Sequence, residues 1–105
     1  MADALRLADT EIEAALGDLP NWSISDDSIV ATYTMATFLT GIELVRLAAT
    51  SAEAANHHPD IDVRWRSVTF RLSTHDAGGI TRRDLDLAHR IDGHARSLGW
   101  TLEAD

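Results

Sequence analysis

Three of the five histidines in this 105-residue chain sit where the local pattern changes. His57 and His58 come just past a helical stretch and just before Pro59, and His75 follows the alternating run that ends in Leu72-Ser73-Thr74. Imidazole titrates near pH 6.5, so at neutral pH it both gives and accepts protons, and three such rings together suit general acid–base work. A helix C-terminus favours the imidazolium, because its last carbonyls carry partial negative charge. Glu53 precedes His57 at i,i+4 spacing and is expected to orient or charge-stabilise that ring, although it also fits a solvated surface carboxylate. His57-His58 equally suit a polar helix exit, and His75 a plain loop position. Asp84, in the first turn of a helix, fits a capping carboxylate. Trp22 and Trp65 suit core or subunit-interface packing, and an aromatic face near the histidines would also stack on a flat heterocycle. His89 and His94 are five residues apart on a helix, so they point about 140° away from each other, and they are given no role.

Other chemistries are excluded or disfavoured by composition. There is no cysteine, which removes disulfides, thiolate catalysis and Cys-based zinc sites. Three histidines can bind zinc with a position left open, but adjacent histidines chelate one ion less readily than an i,i+4 helical pair, so no metal is expected. Nine basic residues, all arginine, face seventeen acidic ones for a net charge of −8. Such a chain lacks the positive surface that phosphate backbones or anionic membranes require. No run of about 18 apolar residues exists to span a bilayer. The first twenty residues have neither a basic leader nor a long apolar stretch, so the expected compartment is the cytoplasm.

At this length, 45% apolar and 25% charged, residues 1–105 are expected to form a single domain. Helical spacing of Ile12, Ala15 and Leu16 predicts a first helix over about 9–16, stopped at Gly17 and by Pro20. Residues 22–24 and 29–33 read as short strands around a turn at 25–28. From 37 to 56, Phe38, Ile42, Val45, Ala49 and Ala52 trace an amphipathic helical stripe. Residues 60–65 and 68–74 alternate, with Ile61, Val63 and Trp65 on one side of the first and Val68, Phe70 and Leu72 sharing a face of the second, which predicts a hairpin turning at Arg66-Ser67. Thr81-Arg82-Arg83-Asp84 matches a capping box opening a helix that runs to Gly99. The order α-β-β-α-β-β-α predicts an α+β fold, a four-stranded antiparallel sheet with three helices packed on one face. An exposed sheet edge invites pairing of copies about a two-fold axis.

The same residues carry a family resemblance. Glu53, three residues, His57-His58-Pro59, five residues, Trp65, nine residues, His75, eight residues, Asp84: this spacing resembles the signature of the pterin-4a-carbinolamine dehydratases. The surrounding block, AEAANHHPDIDVRWRSVTFRLSTHDAGGITRRDLDLAHRID, is similar to that family throughout, and Trp22 after Leu19 sits where the family has a tryptophan near its first strand. The resemblance implies the α-β-β-α-β-β-α fold and a homodimer or homotetramer. It implies removal of water from 4a-hydroxytetrahydrobiopterin to give quinonoid dihydrobiopterin, with the pterin as substrate and no cofactor. By position it implies that His57, His58 and His75 are catalytic and that Glu53, Thr74, Asp84 and Trp22 are lesser, substrate-binding candidates. Two positions depart from the pattern: Asn56 stands where many relatives have Asp, and Trp65 replaces the more usual Tyr. Some relatives act instead as transcription-factor dimerisation cofactors or enzyme-assembly factors; those scaffold types tend to lose the histidine set, which this chain retains.

Overall fold

The structure, a computed structural model, describes residues 5–102; residues 1–4, the start of the segment read for a leader, lie outside it. Its helices are α1 (Asp9–Ala15), α2 (Phe38–Ala55) and α3 (Arg82–Ser97), and its strands are β1 (Ser23–Ser25), β2 (Ser28–Thr34), β3 (Asp60–Arg64) and β4 (Ser67–Leu72). The strands form one antiparallel sheet in the order β1-β2-β4-β3. The predicted fold class and element order are therefore observed.

Strand alternation sets the two faces of this sheet. Ile29, Ala31 and Tyr33 of β2 pair with Leu72, Phe70 and Val68 of β4, and all six are buried. The opposite face carries a hydroxyl ladder, Thr32 to Thr69 at 2.7 Å and Thr34 to Ser67 at 3.1 Å, in keeping with a solvated surface. Leu85, Ala88, Ile91 and Ala95 of α3 join the apolar face in one core cluster with Leu44, Ala48 and Ala52 of α2.

Three sequence expectations shift. The buried stripe of α2 is Gly41, Leu44, Ala48 and Ala52, whereas Phe38, Ile42 and Ala49 face outward and Val45 is half-buried. The cause is close approach. A Cβ at Gly41 would lie 3.4 Å from Val68 Cγ2 and 3.8 Å from the Arg66 carbonyl oxygen, so the small residues, not the bulkiest, determine which face rests on the sheet. The second hairpin turns one residue earlier than expected, at Trp65-Arg66, with Arg64 paired to Ser67. Trp65 takes a left-handed φ of 55°, and its exposed ring lies under the Arg66 guanidinium. Gly17 does not stop α1 directly, because Leu16–Asp18 add a 3₁₀ turn.

Beneath the sheet, Trp22 Nε1 donates to the Tyr33 hydroxyl at 2.7 Å, which donates to Asp92 Oδ1 at 2.7 Å. Arg96 Nε reaches Asp92 Oδ2 at 2.8 Å. Burial first, then the Asp92 carboxylate, push the Tyr33 phenol far above its ordinary value, so it stays a donor. Tyr33→Phe strands the buried Trp22 indole N–H and Asp92 Oδ1 and is expected to cost about 1–3 kcal/mol in urea unfolding.

His94 bridges α3 to α2 through a 2.8 Å hydrogen bond between Nε2 and Ser51 Oγ. Burial, and then the nearby Arg90 cation, lower its pKa below the ordinary value. The folded state thus protonates this ring less readily than the unfolded chain, which takes up its proton as pH falls through about 6.5. Stability is expected to decline as pH drops through and below that value, and His94→Gln to make the decline shallower, read from urea midpoints between about pH 7.5 and 5.

Candidate active site

Helix α2 ends in a Schellman motif. Asn56 adopts the left-handed conformation (φ 52°), its N–H returns to the last turn, and the His57 N–H bonds the Ala52 carbonyl at 3.1 Å. Asn56 is among the side chains that tolerate this region best. The reversal sends His57 inward, where it is 8% exposed, and leaves His58 outside. On the other side, β4 leaves the sheet at Leu72, and Thr74 forms an antiparallel bridge with Gly79. That bridge closes a small loop beginning with the 3₁₀ turn His75–Ala77.

The two exits and the first turn of α3 enclose a pocket of about 280 Å³, lined by residues 56–58, residues 73–76 and Arg83. All three candidate histidines line it. A second hollow, about 370 Å³, lies by Met35, Arg66, Leu98 and Trp100. It holds no acid–base pair, and the Arg66 guanidinium there already donates to the Met35 carbonyl at 3.1 Å. The chemistry therefore points to the histidine pocket.

Its floor is a buried hydrogen-bond network. His57 Nε2 lies 2.5 Å from Asp84 Oδ1, and Asp84 is fully buried. Asp84 Oδ2 accepts from the Thr74 hydroxyl at 2.8 Å and from the Thr81 backbone N–H at 2.9 Å. As the N3 residue of the α3 capping box, Asp84 caps the helix and holds His57 at once, so the capping and active-site readings are both true of it. A buried carboxylate is tolerable only with such partners, and here two donors and the His57 ring converge on its two oxygens. Arg83 ties the halves together by donating from Nη2 to the Asn56 carbonyl at 2.9 Å.

The secondary candidates divide differently from expectation. Glu53 orients His58, not His57: its Oε2 lies 2.6 Å from His58 Nε2, and both side chains are largely exposed. The i,i+4 argument fails because helical geometry ends at Asn56, and the chain reversal brings the next residue back over Glu53. Thr74 lies on the pocket wall but is 3% exposed, with its hydroxyl committed to Asp84 and Thr81. Asp84 is sealed behind His57. Trp22 is 4% exposed in the core, its indole N–H spent on Tyr33, and it is not among the pocket-lining residues; its apolar bulk wins the core position. Trp65 is exposed in the β3–β4 turn. Arg83 and Thr81 are not site candidates in the sequence, and Asn56 stands out there only as a departure from the family pattern. Arg83 had no signal beyond lying next to Asp84, whereas Thr81 was visible as an N-cap but not as part of a site. Among the described residues no group of three or more His, Asp or Glu side chains is arranged to hold a metal ion.

Residues 5–94 match the family model described as pterin 4 alpha carbinolamine dehydratase. The chain belongs to that family. A relative from Nocardia farcinica, named for the same dehydratase, is 56% identical over 90 residues, covering 86% of this chain and 95% of its own. One from Roseiflexus sp. (strain RS-1), also so named, is 53% identical over 89 residues, covering 85% and 96%. The crystal structure of a transcriptional coactivator/pterin dehydratase from Brucella melitensis is similar with a TM-score of 0.82 and 29% identity, over 86% of this chain and 98% of that one. In this member of the dehydratase family the residue before the histidine pair is Asn56, and its left-handed backbone is what separates the buried ring from the exposed one. Asn56→Gly is expected to leave stability within a few tenths of a kcal/mol. Asn56→Val should cost about 1–2 kcal/mol in urea unfolding, and equal stability of all three proteins would contradict the cap assignment.

Proposed function

We propose that this chain dehydrates 4a-hydroxytetrahydropterins, 4a-hydroxytetrahydrobiopterin among them, to quinonoid dihydropterins in pterin recycling, by histidine acid–base catalysis and without a metal or organic cofactor. The observation that carries the proposal is His57, held by a buried carboxylate in a pocket that it shares with two more imidazoles. The reaction breaks the C4a–O bond and the N5–H bond, forms the C4a=N5 double bond and releases water. The N5 lone pair drives the departure, so neither a nucleophile nor an oxyanion site is needed. What is needed is a base for the N5 proton and an acid for the leaving hydroxyl.

The described contacts support a division of labour. With Nε2 bonded to Asp84, His57 offers Nδ1: no described residue bonds that atom, and among the described residues no buried side-chain polar atom lacks a partner, so Nδ1 opens on the pocket. His57 is the principal proton-transfer residue, and Asp84 stabilises the imidazolium that forms. His75, exposed at the pocket on the segment that follows β4, is the second proton-transfer group. His58, steadied by Glu53, orients the pterin. The chain is further read as a homodimer or homotetramer, since β3 presents an open sheet edge.

A second reading, an interaction protein on the same fold, is favoured by two observations. The Brucella melitensis protein is named a transcriptional coactivator as well as a dehydratase, and Phe38, Leu39 and Ile42 of α2 are exposed at 46%, 76% and 40%. Dehydration of freshly generated 4a-hydroxytetrahydropterin decides between them. Wild type should accelerate it, His57→Ala should lose about 10²–10⁴-fold in kcat, and His58→Ala should mainly raise KM. A folded wild type with no acceleration would transfer the function to the interaction reading.

A further inference from the structure

We infer that Thr74 and Thr81 are positioning residues, a one-way hydroxyl chain that fixes which nitrogen of His57 exchanges protons. The proton count gives the direction. The Thr74 hydroxyl has one hydrogen and donates it to Asp84 Oδ2 at 2.8 Å. Its 2.8 Å contact with Thr81 Oγ1 must then be donated by Thr81. Thr81 Oγ1 in turn accepts from the Arg83 backbone N–H at 3.2 Å, one of the orphan donors of the first helical turn. The chain runs from the α3 backbone through Thr81 and Thr74 to Asp84.

The reverse direction strands a proton. If Asp84 carried a proton on Oδ2 and donated to Thr74, Thr74 would donate to Thr81 Oγ1, which has a second lone pair for the Arg83 N–H. Thr81 would be left with a hydroxyl proton to place while buried at 0% exposure. As a hydroxyl oxygen, Oδ2 would also be a weaker acceptor than a carboxylate for the Thr81 N–H at 2.9 Å. The α3 cap therefore makes Asp84 an acceptor at Oδ2. Two donors on that oxygen favour the carboxylate, and an imidazole nitrogen is a more basic site than a carboxylate oxygen, so the hydrogen of the contact at Oδ1 sits on His57 Nε2. Neutral His57 is thus the Nε2–H tautomer with a lone pair on Nδ1 toward the pocket. Hydrolytic triads orient imidazole the other way round, with Nδ1 on the carboxylate and Nε2 on the reacting group.

This deepens the proposed function and rests on His57 as the proton-transfer residue, but its first readout does not involve activity. Two-bond ¹H–¹⁵N spectra of uniformly ¹⁵N-labelled wild type, assigned with His57→Gln, should show neutral His57 protonated at Nε2 alone. Protonation at Nδ1 would overturn the inference whether or not the protein is a dehydratase. Thr74→Val, close in shape, withdraws one donor from Oδ2 and should give a detectable Nδ1–H population, with kcat lowered about tenfold and KM within about twofold. Thr81→Val should act in the same direction more weakly, and Thr74→Ser and Thr81→Ser should restore both readouts. A raised KM with unchanged kcat in Thr74→Val would make Thr74 a substrate contact and overturn the positioning role. An unchanged spectrum and rate in both valine variants would reduce the chain to a helix cap. Should the valine variants fail to fold, the wild-type spectrum and the serine pair still decide.

Discussion

The rest of the site depends on one contact, His57 Nε2 to Asp84 Oδ1. It joins the end of one helix to the start of another, and both partners are shielded from water. A carboxylate in such a place is a liability unless its lone pairs are filled, because removing it from water costs several kcal/mol. The protein meets that cost with groups that needed partners anyway: the Thr81 amide, an orphan donor at the start of α3, and the Thr74 hydroxyl just beyond β4. The position of the reactive ring thus follows from how two secondary-structure elements terminate, not from a dedicated scaffold.

That explains what was legible in the sequence. Helix termini announce themselves locally, through Thr81-x-x-Asp84 at a start and Pro59 after an exit, so the element order and the placement of the three histidines could be read residue by residue. The pairing between elements could not. Asp84 was visible as a cap, but its second oxygen turns toward a residue 27 positions earlier, and no periodicity encodes that. The i,i+4 rule points Glu53 at His57, two residues past the helix end at Ala55, but Asn56 reverses the chain first and Glu53 meets His58 instead. The α2 stripe was misplaced for a related reason: counting apolar residues favours Phe38 and Ile42, whereas close approach to β4 favours Gly41 and the alanines. Trp22 matched a family position, yet an indole that finds Tyr33 inside the core has no ring face left for a ligand.

The neighbouring histidines show how much burial matters to the same chemistry. His58 and Glu53 make an imidazole–carboxylate contact of 2.6 Å, nearly the length of the His57–Asp84 contact. Their side chains are 57% and 76% exposed, so solvent screens the pair and its worth is of the order of 0–1 kcal/mol. Such a pair can open to meet a ligand at little cost. His57 cannot leave Asp84 without stranding a buried charge, so its orientation is fixed before any substrate arrives. One ring is preorganised and the other adaptable, although they are adjacent in sequence and carry the same kind of partner. The single left-handed residue between helix and histidines produces that difference, because a helix continued by one more residue would have left both rings on its surface.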